Sequence, residues 1–190
     1  MEPRGNLTGH QALAYTGRVI RAGVGFHAFF GLGWLLAGLG HFGGAVTGAA
    51  GLLGVVVALA LVLVARSRSP EAAGGVSPPS RRRRFRQVNA VQWVLVAVVA
   101  TGCGAGGVPE LIMPLVAVVV GLHFLPLAGV FGDPRLVVPG AALAVVGVAG
   151  LLARAADASP GAVSTLVGVG CALALWSTAA WFIAGARGAG

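Results

Sequence analysis

The sequence contains no lysine and only five acidic residues, and charged side chains make up 9% of its 190 residues. Hydrophobic residues make up 57% of the chain. A chain with so little charge cannot cover the surface of an ordinary soluble domain, and its composition indicates an integral membrane protein. The net charge of +8 is carried by arginines that flank apolar runs, so we do not expect nucleic-acid binding.

Catalytic motifs are also missing. The sequence has no His-Glu-x-x-His motif, no phosphate-binding glycine loop and no Gly-x-Ser-x-Gly motif. It also lacks paired carboxylates for hydrolysis and an acidic motif for magnesium and a diphosphate. We therefore expect no catalytic residues. An intramembrane enzyme that acts on a lipid through His123 or Glu110 is an alternative, but no second catalytic group is placed to help.

The two cysteines, Cys103 and Cys171, do not predict a disulfide. Their predicted depths in the membrane differ by roughly 13 Å, from the rise per residue of a helix. Both are expected to act as small apolar side chains. We also predict no metal site.

Six apolar runs fill most of the chain, and each can cross a hydrocarbon core about 30 Å thick as a helix. The sequence therefore predicts an all-α fold, a six-helix transmembrane bundle that forms one membrane domain. An arm, residues 1–21, precedes spans 1 and 2 in residues 22–65, and a linker, residues 66–87, precedes spans 3 to 6 in residues 88–190. The predicted spans are residues 22–40, 44–65, 88–107, 109–131, 136–153 and 162–184.

The arginines are distributed unevenly between the two ends of these spans. Of the thirteen arginines, Arg154 alone lies on the side opposite to both termini. Arginine-rich loops stay in the cytoplasm during membrane insertion. We therefore expect both termini and the linker to be cytoplasmic, in a multi-pass protein of a bacterial plasma membrane.

The linker contains Pro70, Pro78, Pro79 and several glycines, which predict a mobile segment without regular structure. It ends in a cluster of arginines beside the third span. Such a cluster attracts anionic lipid headgroups by about 1 kcal/mol per arginine; a docking patch for an acidic partner is the alternative. The predicted lipid- or partner-binding residues are Arg81, Arg82, Arg83, Arg84 and Arg86.

Polar residues inside membrane spans are costly and mark candidate functional sites. His27 lies between Gly23 and Gly31 at helical spacing, so we expect its side chain to point toward a neighbouring helix. His123 is predicted at a similar depth, where Pro126 leaves a carbonyl of the preceding turn without its usual hydrogen bond. Four spans place polar side chains at this depth on the cytoplasmic side, and we call these side chains the polar layer. They are His27 in span 1, Asn89, Gln92 and Trp93 in span 3, His123 in span 4, and Ser177 and Thr178 in span 6.

This polar layer is a candidate ligand or ion site, and the breaks expected in span 4 at Pro114 and Pro126 favour a cavity beside it. The alternative is that each member satisfies its own hydrogen bonds between helices. His27 and His123 also meet the minimal requirement for two axial ligands of a haem. Apart from that alternative, no cofactor is predicted.

Glu110 lies at the start of the fourth span, directly after Pro109. We expect its carboxylate to occupy the helix N-terminus, where the macrodipole favours negative charge. A proton carrier and a counter-charge for a substrate are the alternatives. His123 lies thirteen residues further on, a rise of about 20 Å along a helix, so the two side chains cannot touch.

Glycine is abundant, with 32 residues in the chain. Small residues let transmembrane helices approach each other closely, so we expect a compact bundle with little internal void. The two predicted small-residue stripes are Gly40, Gly44 and Gly48, and Ser164, Gly168 and Ala172.

One segment resembles a motif of small multi-pass bacterial membrane proteins that contain a domain of unknown function. The segment is Gly121-Leu122-His123-Phe124-Leu125-Pro126-Leu127-Ala128, preceded by Pro109-Glu110 and Pro114. The resemblance covers residues 109–131. It implies that Glu110 and His123 belong to one functional element, and it implies no activity.

Three functions are left as hypotheses. The first is the handling of a small molecule or ion through the polar layer. The second is a structural or accessory subunit that binds lipid or partner helices, in a homo- or hetero-oligomer. The third is a bis-histidine haem protein. Whether the polar layer surrounds a cavity or is closed by packing decides between the first two.

Overall fold

The computed structural model describes residues 9–68 and 79–185, with side chains described from residue 23 onward. This part of the chain forms six α-helices and three 3₁₀ turns, and it contains no strand. All six helices are long and apolar enough to cross a membrane, which confirms the predicted six-helix bundle. The helices are α1 (Gly9–Leu39), α2 (Gly44–Arg68), α3 (Pro79–Ala105), α4 (Ile112–Phe131), α5 (Val137–Ala155) and α6 (Pro160–Gly185).

Helices that follow each other in the chain run antiparallel, so their starts and ends alternate between the two ends of the bundle. The start of α3 meets the end of α4, where the ring centroids of Phe85 and Phe131 lie 5.7 Å apart. Val24 near the start of α1 packs with Ala65 and Phe182 near the ends of α2 and α6. We call this the arginine-rich end, because it holds the arginines of α2 and α3; the other is the opposite end.

Four helices form the packed centre of the bundle. Helix α1 packs along α6, α4 packs along α5, and α5 also packs on α6. Apolar side chains fill the space between these helices, as expected for close-packed interiors. The fully buried members of this core include Ala117, Leu143, Val163, Val167 and Cys171.

Helices α2 and α3 lie at the periphery. Helix α2 packs on α1 and α6, and α3 packs mainly on α4. Within α3, Cys103 is the one buried side chain, and large apolar side chains such as Val91 and Val98 are exposed. Exposed apolar surface of this extent belongs in lipid rather than in water.

The small-residue stripes fit the structure at only one of the two predicted places. Gly168 of α6 meets the backbone of Gly38 on α1, as the stripe in span 6 predicted. No atom lies within 4 Å of a Cβ built at Gly44 or Gly48, so the close approach predicted there is wrong. Helix α2 instead meets α1 at Gly54, where such a Cβ would lie 2.7 Å from Leu32.

Two expectations about irregular backbone are also wrong. Helix α3 begins at Pro79, at a position where the missing N–H costs nothing, so residues 79–87 are helical instead of part of a linker. Residues 69–78, including Pro70 and Pro78, lie outside the described residues. Helix α4 continues through Pro126 and ends at Phe131, and Gly132 caps it with a φ of 67° and a backbone N–H that donates to the Ala128 carbonyl.

Candidate functional site

His27 is the most completely buried polar side chain in the described part of the bundle. It is 2% exposed and lies between α1, α4 and α6, with ring centroids of Phe124 and Phe182 at 5.8 and 5.6 Å. Its Nδ1 lies 2.7 Å from the carbonyl oxygen of Gly23. A carbonyl only accepts, so Nδ1 carries the proton and donates. The prediction that His27 points inward is confirmed.

The other ring nitrogen of His27 has no partner among the described residues. Nε2 is buried and makes no hydrogen bond. In the neutral imidazole this atom is an acceptor, and leaving a buried acceptor unpaired costs about 1–3 kcal/mol. The aromatic rings of Phe26, Phe124 and Phe182 surround the imidazole. At His27, therefore, the polar layer is closed by packing.

His123 lies on α4 next to Phe124 and is 9% exposed. Its ring centroid is 6.4 Å from that of Phe124, which also contacts His27. The two imidazoles therefore flank one phenylalanine, and no direct contact between them is seen in the described structure. The described residues contain no group of three His, Cys, Asp or Glu that could hold a metal ion.

No contact between His27 and the remaining members of the predicted polar layer is seen among the described residues. Asn89 and Gln92 are half-buried on α3, and Trp93 on the same helix is 61% exposed. Helix α3 packs mainly on α4, whereas His27 contacts α6 as well. Thr178 is buried, but its hydroxyl donates to the carbonyl of Ala174 in its own helix, at 2.8 Å. The layer thus separates into locally packed groups.

Glu110 takes part in an ion pair that sequence reasoning missed. Its Oε1 lies 3.2 Å from the Nη2 and 3.3 Å from the Nε of Arg154, at the opposite end of the bundle, where the turn before α4 meets the end of α5. Glu110 also lies at a helix N-terminus as predicted, in the first turn of the 3₁₀ helix Pro109–Leu111 that leads into α4. Arg154 is the single arginine that the charge distribution places on this side, and Glu110 is predicted on the same side. The predicted position of both residues on this side was the sequence feature that could have indicated the ion pair. Glu110 and His123 are not brought together.

A recess opens at the arginine-rich end, between the start of α3 and the end of α4. Its volume is about 610 Å³. Phe85 and Phe131 meet edge to face in its wall, with ring planes at 61°. Arg83 and Arg84 lie on the same helix but do not line it. We call it the arginine recess, and its lining residues are Pro79, Arg81, Arg82, Phe85, Arg86 and Phe131.

The recess gathers three of the five arginines predicted to bind lipid, and it adds two aromatic side chains that the prediction lacked. Arg82 and Arg86 are four residues apart on a helix and therefore share a face, with Phe85 beside them. Phe131 lies far away in sequence, so only the antiparallel packing of α3 and α4 brings it here. Cationic and aromatic groups in one recess suit a ligand with an anionic and an apolar part.

Comparison of the chain with protein-family models, with curated proteins and with solved structures finds no match.

Proposed function

We propose that this multi-pass membrane protein is a structural or accessory protein that binds anionic lipid at its arginine-rich end. The carrying observation is the placement of the five arginines of residues 81–86 on one helical segment at the edge of the membrane-spanning bundle. Each cation near an anionic membrane surface contributes about 1 kcal/mol. The charge bias of the loops supports a cytoplasmic position for this end in a plasma membrane.

The packing around the histidines favours this function over solute transport. His27 is enclosed by phenylalanine rings, α4 is continuous through Pro126, and the hydroxyl of Thr178 donates within its own helix. A transport path requires polar groups that line a shared cavity. The exposed apolar faces of α2 and α3 suit lipid or partner helices, which also agrees with an accessory role.

The lipid-binding proposal predicts a strong dependence on anionic lipid. Purified protein in nanodiscs of phosphatidylcholine mixed with phosphatidylglycerol should unfold at a higher temperature than in phosphatidylcholine alone. Replacing all five arginines of residues 81–86 with glutamine should weaken phosphatidylglycerol binding by more than about a thousandfold, at about 1 kcal/mol per arginine. Arg135→Gln, which removes one exposed arginine from the 3₁₀ turn before α5, is the control and should change binding little. Equal binding of both lipids by the wild type would reject the proposal.

One observation favours ion or small-molecule handling as a second candidate, namely the unpaired Nε2 of His27. If His27 has no such function, His27→Leu should stabilise the protein by about 1–2 kcal/mol, because it removes a buried unpaired acceptor at similar volume. Thermal unfolding checks this, with the membrane-facing Phe29→Leu as control. A stabilised variant with unchanged ion flux in liposomes supports the structural function. Destabilisation together with loss of a measurable wild-type flux supports the second candidate.

A further inference from the structure

We infer that the arginine recess is a defined site for a single phosphate-bearing lipid headgroup. The inference rests on the proposed binding of anionic lipid and goes beyond it. A diffuse cluster attracts lipids equally through all its charges, whereas a site depends on those arginines that line it. The structure distinguishes the two groups, since Arg82 and Arg86 line the recess and Arg83 and Arg84 do not.

The positions of the lining arginines suit a phosphate group. Arg82 and Arg86 are exposed and project from adjacent turns of one helical face. Each guanidinium presents a planar fork of donors that can bind two phosphate oxygens at once. Two guanidinium groups on one helical face can bind the same phosphate from two sides. Arg81 lines the recess beside them.

The size and the apolar wall of the recess favour a lipid over a free anion. A volume of about 610 Å³ falls within the roughly 300–1,000 Å³ usual for small-molecule sites and greatly exceeds what a phosphate ion fills. Phe85 and Phe131 supply an aromatic surface next to the arginines. A glycerophospholipid has a charged phosphate joined to an apolar glycerol ester, and this recess offers a surface for each.

The depth of the recess also fits a headgroup. Arg82 and Arg86 precede the apolar run that starts at Val88, which places them about 3–9 Å outside the hydrocarbon along the helix axis. Lipid phosphates lie at this level. The arginines belong to α3 and Phe131 belongs to α4, so a bound headgroup would bridge the two helices. Because α3 packs mainly on α4, the bound lipid would stabilise the contact that holds this peripheral helix against the bundle.

The test compares two variants that lose the same charge from the same helix. Arg82→Gln/Arg86→Gln removes lining arginines, and Arg83→Gln/Arg84→Gln removes neighbours outside the recess. Binding of phosphatidylglycerol is measured by native mass spectrometry on full-length protein from nanodiscs. We expect the lining variant to lose at least tenfold in affinity and the neighbouring variant less than threefold. Unfolding temperatures in phosphatidylcholine confirm that both variants fold.

Each other outcome overturns a specific statement. Equal losses in the two variants would mean a diffuse charged surface, which rejects the site and keeps the proposed lipid binding. No loss in either variant rejects both. In the wild type, we expect slower hydrogen exchange of the α3 backbone in phosphatidylglycerol than in phosphatidylcholine. In the lining variant, the exchange rate in phosphatidylglycerol should rise to the rate that the wild type shows in phosphatidylcholine. Unchanged exchange would reject the bridging of α3 and α4.

A second comparison identifies the source of the phosphate. Phe131→Ala removes apolar wall without changing charge and should lower phosphatidylglycerol affinity several-fold, whereas the membrane-facing Phe29→Ala should not. Inorganic phosphate and glycerol phosphate serve as soluble probes and should compete only at far higher concentration than the lipid. Competition at equal concentration, with Phe131→Ala unaffected, would reject the lipid and assign the recess to a soluble phosphate ester.

Discussion

Gly168→Ala should destabilise the bundle by about 3 kcal/mol, as expected for an overpacked interface. A Cβ at this position would meet the Cα of Gly38 and would lie 2.6 Å from the carbonyl oxygen of Trp34. Both atoms belong to the backbone of α1 and cannot rotate away. The helices would have to separate along the α1–α6 interface, which is the most extensive in the bundle. Denaturant unfolding in detergent micelles measures the loss.

The matched control for this change is Gly33→Ala on α1. No atom lies within 4 Å of a Cβ built at Gly33, and the residue is exposed. Alanine there should stabilise the helix by up to about 1 kcal/mol. Gly38→Ala should be as harmful as Gly168→Ala, because its Cβ would lie 2.7 Å from the Cα of Gly168. Equal stability of the Gly168 and Gly33 variants would contradict the close crossing.

The six helices could be predicted from sequence because a backbone inside hydrocarbon must satisfy its own hydrogen bonds over about twenty residues. Which helices pack against each other could not be predicted from the sequence. In a soluble protein the apolar stripe of a helix marks the core, but in a membrane both faces are apolar. Glycine spacing was therefore the main guide, and it succeeded at Gly168 and failed at Gly44 and Gly48.

The candidate site was predictable only in part, for the same reason. The glycines on either side of His27 correctly indicated an inward side chain. Nothing in the sequence of α3 showed that it is a peripheral helix, so a contact of Gln92 or Trp93 with His27 could be neither predicted nor excluded from the sequence. The pairing of Glu110 with Arg154 needed only the topology, since opposite charges at one membrane face attract each other.

The arginine recess required information that no single segment carries. Its arginines stand in one short helical segment and are obvious in the sequence. The register that brings Phe131 against Phe85 depends on how α4 is packed between α3 and α5. A non-helical linker was expected at Pro79, because Pro70, Pro78, Pro79 and the glycines between them disfavour regular structure. As a result the arginines were treated as an unstructured cluster instead of one helical face.

The second large effect is expected at the crossing of α4 and α5. In Gly121→Ala, the new Cβ would lie 2.6 Å from the amide nitrogen of Ala144 and 2.6 Å from the carbonyl oxygen of Gly140. Backbone again blocks the methyl group, so we expect a loss of about 3 kcal/mol. Gly129→Ala on the same helix is the control, because its Cβ meets no atom within 4 Å. Denaturant unfolding of the two variants checks the difference.

This substitution also separates the stability of the bundle from lipid binding. Gly121 packs on α5, whereas the arginine recess lies between α3 and the far end of α4. Under conditions where Gly121→Ala is still folded, its affinity for phosphatidylglycerol should match that of the wild type. A parallel loss of affinity and stability would mean that the recess requires the α4–α5 crossing. Gly129→Ala lies nearer to the recess and should leave both properties intact, because its Cβ meets only open space.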